Sequence, residues 1–227
     1  MILQIETATA SCSVALANDG VVLAAKQINE RNIHAEVITL FIDELIKSAK
    51  IQYGDLDAIA VSCGPGSYTG LRIGVSTAKG LCFAINKPLI AIETLEAMAY
   101  GVISLDKNIP ESTLLCPMID ARRMEVFTAV FNCKGEKIKQ TAAEIITADS
   151  FEELLKDNKM LFFGDGAEKC MAVLSANPNA QFLPGFVNSA SYLTQKALKK
   201  FRKEDFESVI FFEPYYLKDF IAGKKVI

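Results

Sequence analysis

Two acidic side chains close strand-like runs in this sequence, Glu6 after MILQI and Asp120 after LLCPMI. Carboxylates facing one another across a cleft can hold a magnesium ion with a nucleotide phosphate, or activate a water. Each can instead cap a turn by accepting backbone N–H groups. Asp165, set between Gly164 and Gly166 behind another apolar run, is a third candidate, for a nucleotide-binding loop. His34 is the sole histidine, so a two-histidine metal centre is ruled out, and no two of the six cysteines lie close enough in sequence to replace it. Pairing His34 with a cysteine nucleophile would require the fold to bring one to it. There is no G-x-S-x-G elbow, and Ser67 and Ser76 have no evident base beside them. A protease reading therefore lacks its machinery.

The densest motif is GPGSYTGLRIG, Gly64 to Gly74. Amides at the start of a helix can converge on a phosphate, so a cradle is the first expectation. The familiar patterns do not fit. A Walker loop needs Lys where Leu71 follows Gly70, and a dinucleotide fingerprint needs Gly where Thr69 stands. What remains is backbone freedom at Gly64, Gly66 and Gly70, stiffened by Pro65. The helix expected behind the loop, Leu71 to Ile85, is apolar nearly all round, with small residues at Gly74, Ser76, Ala78 and Gly80. It is either buried in its own domain or packed on another subunit. Arg72 then stands at the helix start, where its charge opposes the dipole and calls for an anionic partner.

These residues need a scaffold. Met1–Ile5, Cys12–Ala17 and Val21–Ile28 read as strands, with Asn18-Asp19-Gly20 as a hairpin turn. Ile38, Phe41, Ile42, Leu45 and Ile46 mark one face of a helix from Ile33 to Ala49, and Leu56–Cys63 is a further strand. The order recurs: strands at Leu114–Ile119, Glu125–Asn132 and Glu136–Thr141, a helix at Phe151–Lys156, a strand at Met160–Phe163 and a helix at Ser189–Phe201. The repeat predicts an α/β protein of two duplicated mixed-sheet domains, 1–108 and 109–227, hinged near Leu105–Ser112. Glu6 and Asp120 hold matching places in it. The alternative is one three-layer domain with a long mixed sheet.

Composition narrows the class. Half the residues are hydrophobic (51%), 22% are charged, and the formal net charge is -3, which speaks against a chain that coats nucleic acid over its whole surface. Arg122 with Arg123, and the Lys196–Lys203 run, remain as local basic patches. Scattered cysteines in apolar runs predict buried free thiols and a cytoplasmic setting. No run approaches the roughly 18 apolar residues of a membrane span, and no export signal is expected.

GPGSYTGLRIGVSTAKGL, ILQIETATASCSVAL, the His34 segment, Asp120-Ala121-Arg122 and PYYLK at Pro214–Lys218 together resemble the TsaB (YeaZ) family of bacterial tRNA threonylcarbamoyladenosine biosynthesis proteins. The resemblance runs the length of the chain. It implies an actin-like, sugar-kinase-like (ASKHA) fold and a non-catalytic scaffold with no cofactor or metal of its own. Its role would be to support the paralogous TsaD, which transfers threonylcarbamoyl to N6 of adenosine 37 in tRNAs reading ANN codons. It further implies TsaE, an ATPase, as a second partner, a homodimer in isolation, tRNA contact only through the complex, and a nucleotide or magnesium ion at the partner interface. Gly64, Gly66, Gly70, Leu71, Arg72, Gly74, Val75, Ala78 and Lys79 would form the partner interface, so a large charged residue at Gly74 or Ala78 should abolish binding in a folded chain. Glu6 stands where the family has Asp, and Lys218 where it has Arg, exchanging a planar fork for a point charge. The competing reading is a small-molecule kinase or ATPase of the same fold, using Glu6 and Asp120 for magnesium.

Overall fold

The computed structural model describes residues 1–218; the final part of the expected second domain, 219–227, lies outside the described residues. The first half runs β1 (Ile2–Glu6), β2 (Ser11–Asn18), β3 (Val21–Asn29), α1 (His34–Ser48), β4 (Ala58–Gly64), α2 (Tyr68–Ile85), β5 (Leu89–Glu93) and α3 (Thr94–Leu105). The second runs β6 (Thr113–Asp120), β7 (Glu125–Phe131), β8 (Lys137–Ile145), α4 (Glu152–Asp157), β9 (Lys159–Phe163), α5 (Ala167–Leu174), β10 (Ala180–Leu183) and α6 (Thr194–Arg202). The two sheets have the same order, β3-β2-β1-β4-β5 and β8-β7-β6-β9-β10. In each, an antiparallel meander is extended by two parallel strands. The predicted duplication is therefore present, and the single long sheet is not. Sequence reading passed over β5, α3, α5 and β10, whose short or uniformly apolar stretches carry little periodicity.

Local chemistry explains the elements. Asp19 and Gly20 turn β2 into β3 with φ of 45° and 81°, the paired left-handed angles that a two-residue hairpin needs. Every residue of β1 and β4 is buried, as expected for central strands covered on both faces. Their side chains alternate between two cores. Leu3, Ile5, Ile59 and Val61 meet Ile38, Ile42 and Leu45 of α1 and Val75 of α2, whereas Ile2, Ala58 and Ala60 meet Leu193 and Ala197.

That second contact crosses the expected boundary, on either side of which the two sheets lie. Leu193 and Ala197 lie at the start of α6 and within it, so a helix of the C-terminal half covers the N-terminal sheet. Conversely, Leu95, Met98, Ala99 and Val102 of α3 pack with Leu115, Ile119, Phe131 and Phe163 of the second sheet. Packing does not follow the division at 108/109. Each half closes its core with a helix from the other.

Candidate functional site

The glycine motif is filled by its own chain. α2 begins at Tyr68, a turn earlier than expected, with Ser67 as N-cap; its Oγ accepts the Gly70 N–H at 3.2 Å. The motif packs on the turn that follows β1. Ser67 N–H donates to Ala8 O at 2.7 Å, and Thr7 Oγ1 donates to Gly70 O at 2.8 Å. A Cβ at Gly66 would collide with Ala8 O, one at Gly70 with Thr7 O, and one at Gly74 with Thr7 Oγ1. These glycines let the backbone of the first turn come close; no phosphate is needed to account for them.

On the other side of the motif lies the segment 208–218. Tyr215 N–H donates to Cys63 O at 2.7 Å, and Gly64, at φ 121°, faces the Tyr215 carbonyl. Lys79 Nζ donates to the carbonyls of Phe212 (2.8 Å) and Ile210 (3.2 Å). Arg72 does not begin the helix, and among the described residues it takes no carboxylate partner. It stacks over Tyr68, 4.2 Å from the ring centre, and donates through Nε to Tyr216 Oη at 3.3 Å. Lys218 pairs with Glu125, tying the segment back to the second sheet.

Burial divides the expected interface. Gly64, Gly70, Leu71, Gly74, Val75 and Ala78 turn into the protein's own core, so they are out of a partner's reach, and a large charged residue at Gly74 or Ala78 would unfold the site rather than cleanly break an interface. Gly66 and Lys79 are half-buried and engaged within the chain. The outward stripe of α2 is Thr69, Arg72, Ser76, Gly80 and Phe83. Phe83 is 83% exposed, one turn on from Lys79, whose ammonium holds the backbone at Ile210; Ile210 and Phe211 are 76% and 82% exposed. Sequence reading missed these exposed apolar residues because two of the three come from the C-terminal segment that Lys79 brings to α2.

The carboxylates do not form one site. Glu6 is fully buried and accepts the Ala8 N–H through Oε1 at 2.6 Å. Burial raises its carboxyl to about 7, against the opposing pull of the Ala8 amide and of Ser62, Asn188 and the Thr7 amide. Ser62 and Asn188 lie close enough to favour its charge, but Oε2 makes no hydrogen bond of ordinary geometry among the described residues, and neither does Asn188 Nδ2. Asp120 accepts the Arg122 N–H at 2.9 Å and pairs with Lys169, which also donates to Glu125 O at 2.7 Å. Burial opposes ionisation of Asp120, but the Lys169 ammonium and the Arg122 amide outweigh it and hold the carboxyl below its usual value. Asp165 Oδ1 accepts the Asp120 N–H at 3.1 Å; burial raises its carboxyl, with that amide opposing.

Asp120 and Asp165 are thus neighbours, with Arg31 near both, while Glu6 is enclosed in the first domain. Magnesium between Glu6 and Asp120 does not fit: one carboxyl is sealed in and partly protonated near neutrality, the other holds a lysine. Among the described residues no group of three His, Cys, Asp or Glu side chains clusters as a metal site. His34 Nε2 lies 2.9 Å from Thr9 O, so the ring tethers the first turn to α1. Between the halves, a cavity of about 300 Å³ is lined by Arg31, Asp165, Phe162, Met171, Phe182 and Phe186, among others.

Two like-ordered mixed sheets, each with a carboxylate ending its first strand, define a two-lobed α/β protein of the actin-like, sugar-kinase-like (ASKHA) class. The family model described as tRNA N6-adenosine threonylcarbamoyltransferase (TsaD) matches residues 25–225. The chain is 39% identical over 130 residues to the tRNA threonylcarbamoyladenosine biosynthesis protein TsaB of Escherichia coli, covering 57% of this chain and 54% of that one. To TsaB of Bacillus subtilis it is 32% identical over 166 residues, covering 72% and 70%. YeaZ from Pseudomonas aeruginosa shares the fold, with a TM-score of 0.78 at 23% identity, over 95% of this chain and 99% of that one. The chain belongs to the TsaB (YeaZ) family, within the wider family that the transferase model describes. No helix among the described residues is long and apolar enough to cross a membrane.

Proposed function

We propose that this chain is a non-catalytic, cytoplasmic subunit that binds the transferase TsaD and supports threonylcarbamoyl transfer to N6 of adenosine 37 in tRNAs reading ANN codons. The observation that carries the reading is the exposure of three large apolar side chains, Phe83 on the outer face of α2 and Ile210 and Phe211 on the segment that Lys79, Arg72 and Tyr215 pin to that helix and its strand. Apolar side chains exposed on a rigid support are what a protein partner covers. The enclosed Glu6 and the self-filled glycine motif weigh against the kinase or ATPase alternative, which needs both open to a nucleotide.

The same face serves for self-association when the chain is alone, and the ATPase subunit TsaE joins the assembled pair. A nucleotide or its magnesium, where the complex holds one, is placed by this reading beside Arg31 and Asp165. Calorimetry against TsaD tests it. Phe83→Asp with Phe211→Asp should cost at least about 100-fold in affinity, given that a hot-spot residue is worth roughly 2 kcal/mol or more, while circular dichroism stays that of the parent. Unchanged affinity would sink the interface, and an unchanged modification rate when the chain is omitted would sink the function.

A further inference from the structure

The hairpin between β6 and β7 carries two arginines in succession, and both are held in left-handed backbone: Arg122 at φ 73° and Arg123 at φ 48°. That region disfavours any residue with a Cβ, and Gly or Asn are the usual occupants. The Arg122 amide is fixed by Asp120, and the Arg122 carbonyl accepts the Glu125 N–H at 3.1 Å, so the tip is well formed. Both side chains are exposed. The acids nearest in the chain are already taken, Asp120 by Lys169 and Glu125 by Lys218. Among the described residues no ion pair uses Arg122, Arg123 or Arg31, the exposed arginine that stands near Asp120 from the first half. Arg31 faces the carboxylates of Asp120 and Asp165, which leaves Arg122 and Arg123 as two adjacent exposed guanidinium groups with no ion pair among the described residues, on a chain whose net charge is -3.

We infer that Arg122 and Arg123 form a contact for the phosphodiester backbone of tRNA. Guanidinium is the group suited to this role: its planar fork meets phosphate oxygens in pairs, where an ammonium offers only a point charge. Phosphate contacts of this kind position an RNA without reading its sequence. The contact rests on the proposed role in tRNA modification and adds to it a surface on this subunit, where tRNA contact was expected only through the complex. A mixed-charge acidic protein segment would also meet arginines; the RNA reading is preferred because the function acts on a polyanion.

The test uses the whole chain, alone at low salt and in complex with TsaD, with labelled tRNA followed by fluorescence anisotropy across a salt series. The variant Arg122→Asn with Arg123→Gly supplies residues that suit left-handed backbone, so it should melt no lower than the parent. Each lost phosphate contact should weaken binding by on the order of 10-fold at 0.1 M salt and reduce the slope of log affinity against log salt by about 1. Arg122→Lys with Arg123→Lys should keep most of the slope. Equal affinity and slope for parent and Asn-Gly variant, alone and in complex, would overturn the inference. So would a variant that binds tRNA normally but loses TsaD, since the pair would then be a protein contact. Failure of the parent chain to bind TsaD at all would instead overturn the functional reading, and the isolated chains would then decide the arginine contact.

Discussion

Replacing Glu6 by Gln isolates the energetic consequence of burying a carboxyl under the first turn. In the folded chain this group titrates at about 7, raised from an ordinary 4.5 by burial. A raised carboxyl binds its proton more tightly in the folded state than in the unfolded one. Its contribution is therefore intact below about 4.5 and is lost as pH rises through about 7. At roughly 1.4 kcal/mol per pH unit, the loss between pH 4.5 and 8.5 comes to about 3 kcal/mol. Gln keeps an oxygen for the Ala8 N–H and carries no charge. Urea unfolding of parent and Glu6→Gln at both pH values cancels the titration of every other group in the difference. The parent should lose about 3 kcal/mol relative to the variant on going to pH 8.5, on the order of 10 °C in melting temperature for a chain of this size. A difference that stays flat with pH to within about 0.5 kcal/mol would refute the account, because a carboxyl that ionises freely in the fold is not desolvated.

Two further outcomes follow from packing. Gly74→Ala and Gly70→Ala drive a methyl into Thr7, a side-chain oxygen in one case and backbone in the other, and should each cost about 2–4 kcal/mol. Gly80→Ala meets nothing within 4 Å and should stabilise α2 by about 0.5–1 kcal/mol; equal effects at the three sites in chemical denaturation would contradict the packing described. Burial pushes the thiols of Cys12, Cys63, Cys82 and Cys116 up to about 12 and shelters them, so a thiol reagent at pH 8 should label the half-buried Cys133 first; rapid labelling of all six in the native protein would contradict that.

The duplication was legible because its signals are local. Asp19-Gly20 turns a hairpin, Ile38, Ile42, Leu45 and Ile46 keep helical spacing, and Glu6 and Asp120 fall at like places in two runs of like order. The site was less so. Gly74 and Ala78 looked like the small residues of a subunit interface, and only the fold shows that the body they admit is Thr7 and the protein's own sheet. Small size says that something comes close, without saying what. The same limit applies to Glu6 and Asp120: strand ends are visible in sequence, but whether two carboxylates share a cleft depends on how the lobes sit.

The chain order of residues determined the family motifs, the doubled strand pattern and the absence of a second histidine, all properties of neighbours along the backbone. Tertiary structure alone decided that α3 and α6 exchange lobes, that the backbone at Ile210 is held by Lys79 of α2, and that Arg31 stands near Asp120. These are meetings of segments far apart in sequence. They are settled by which apolar faces must be covered, and no local preference records that choice.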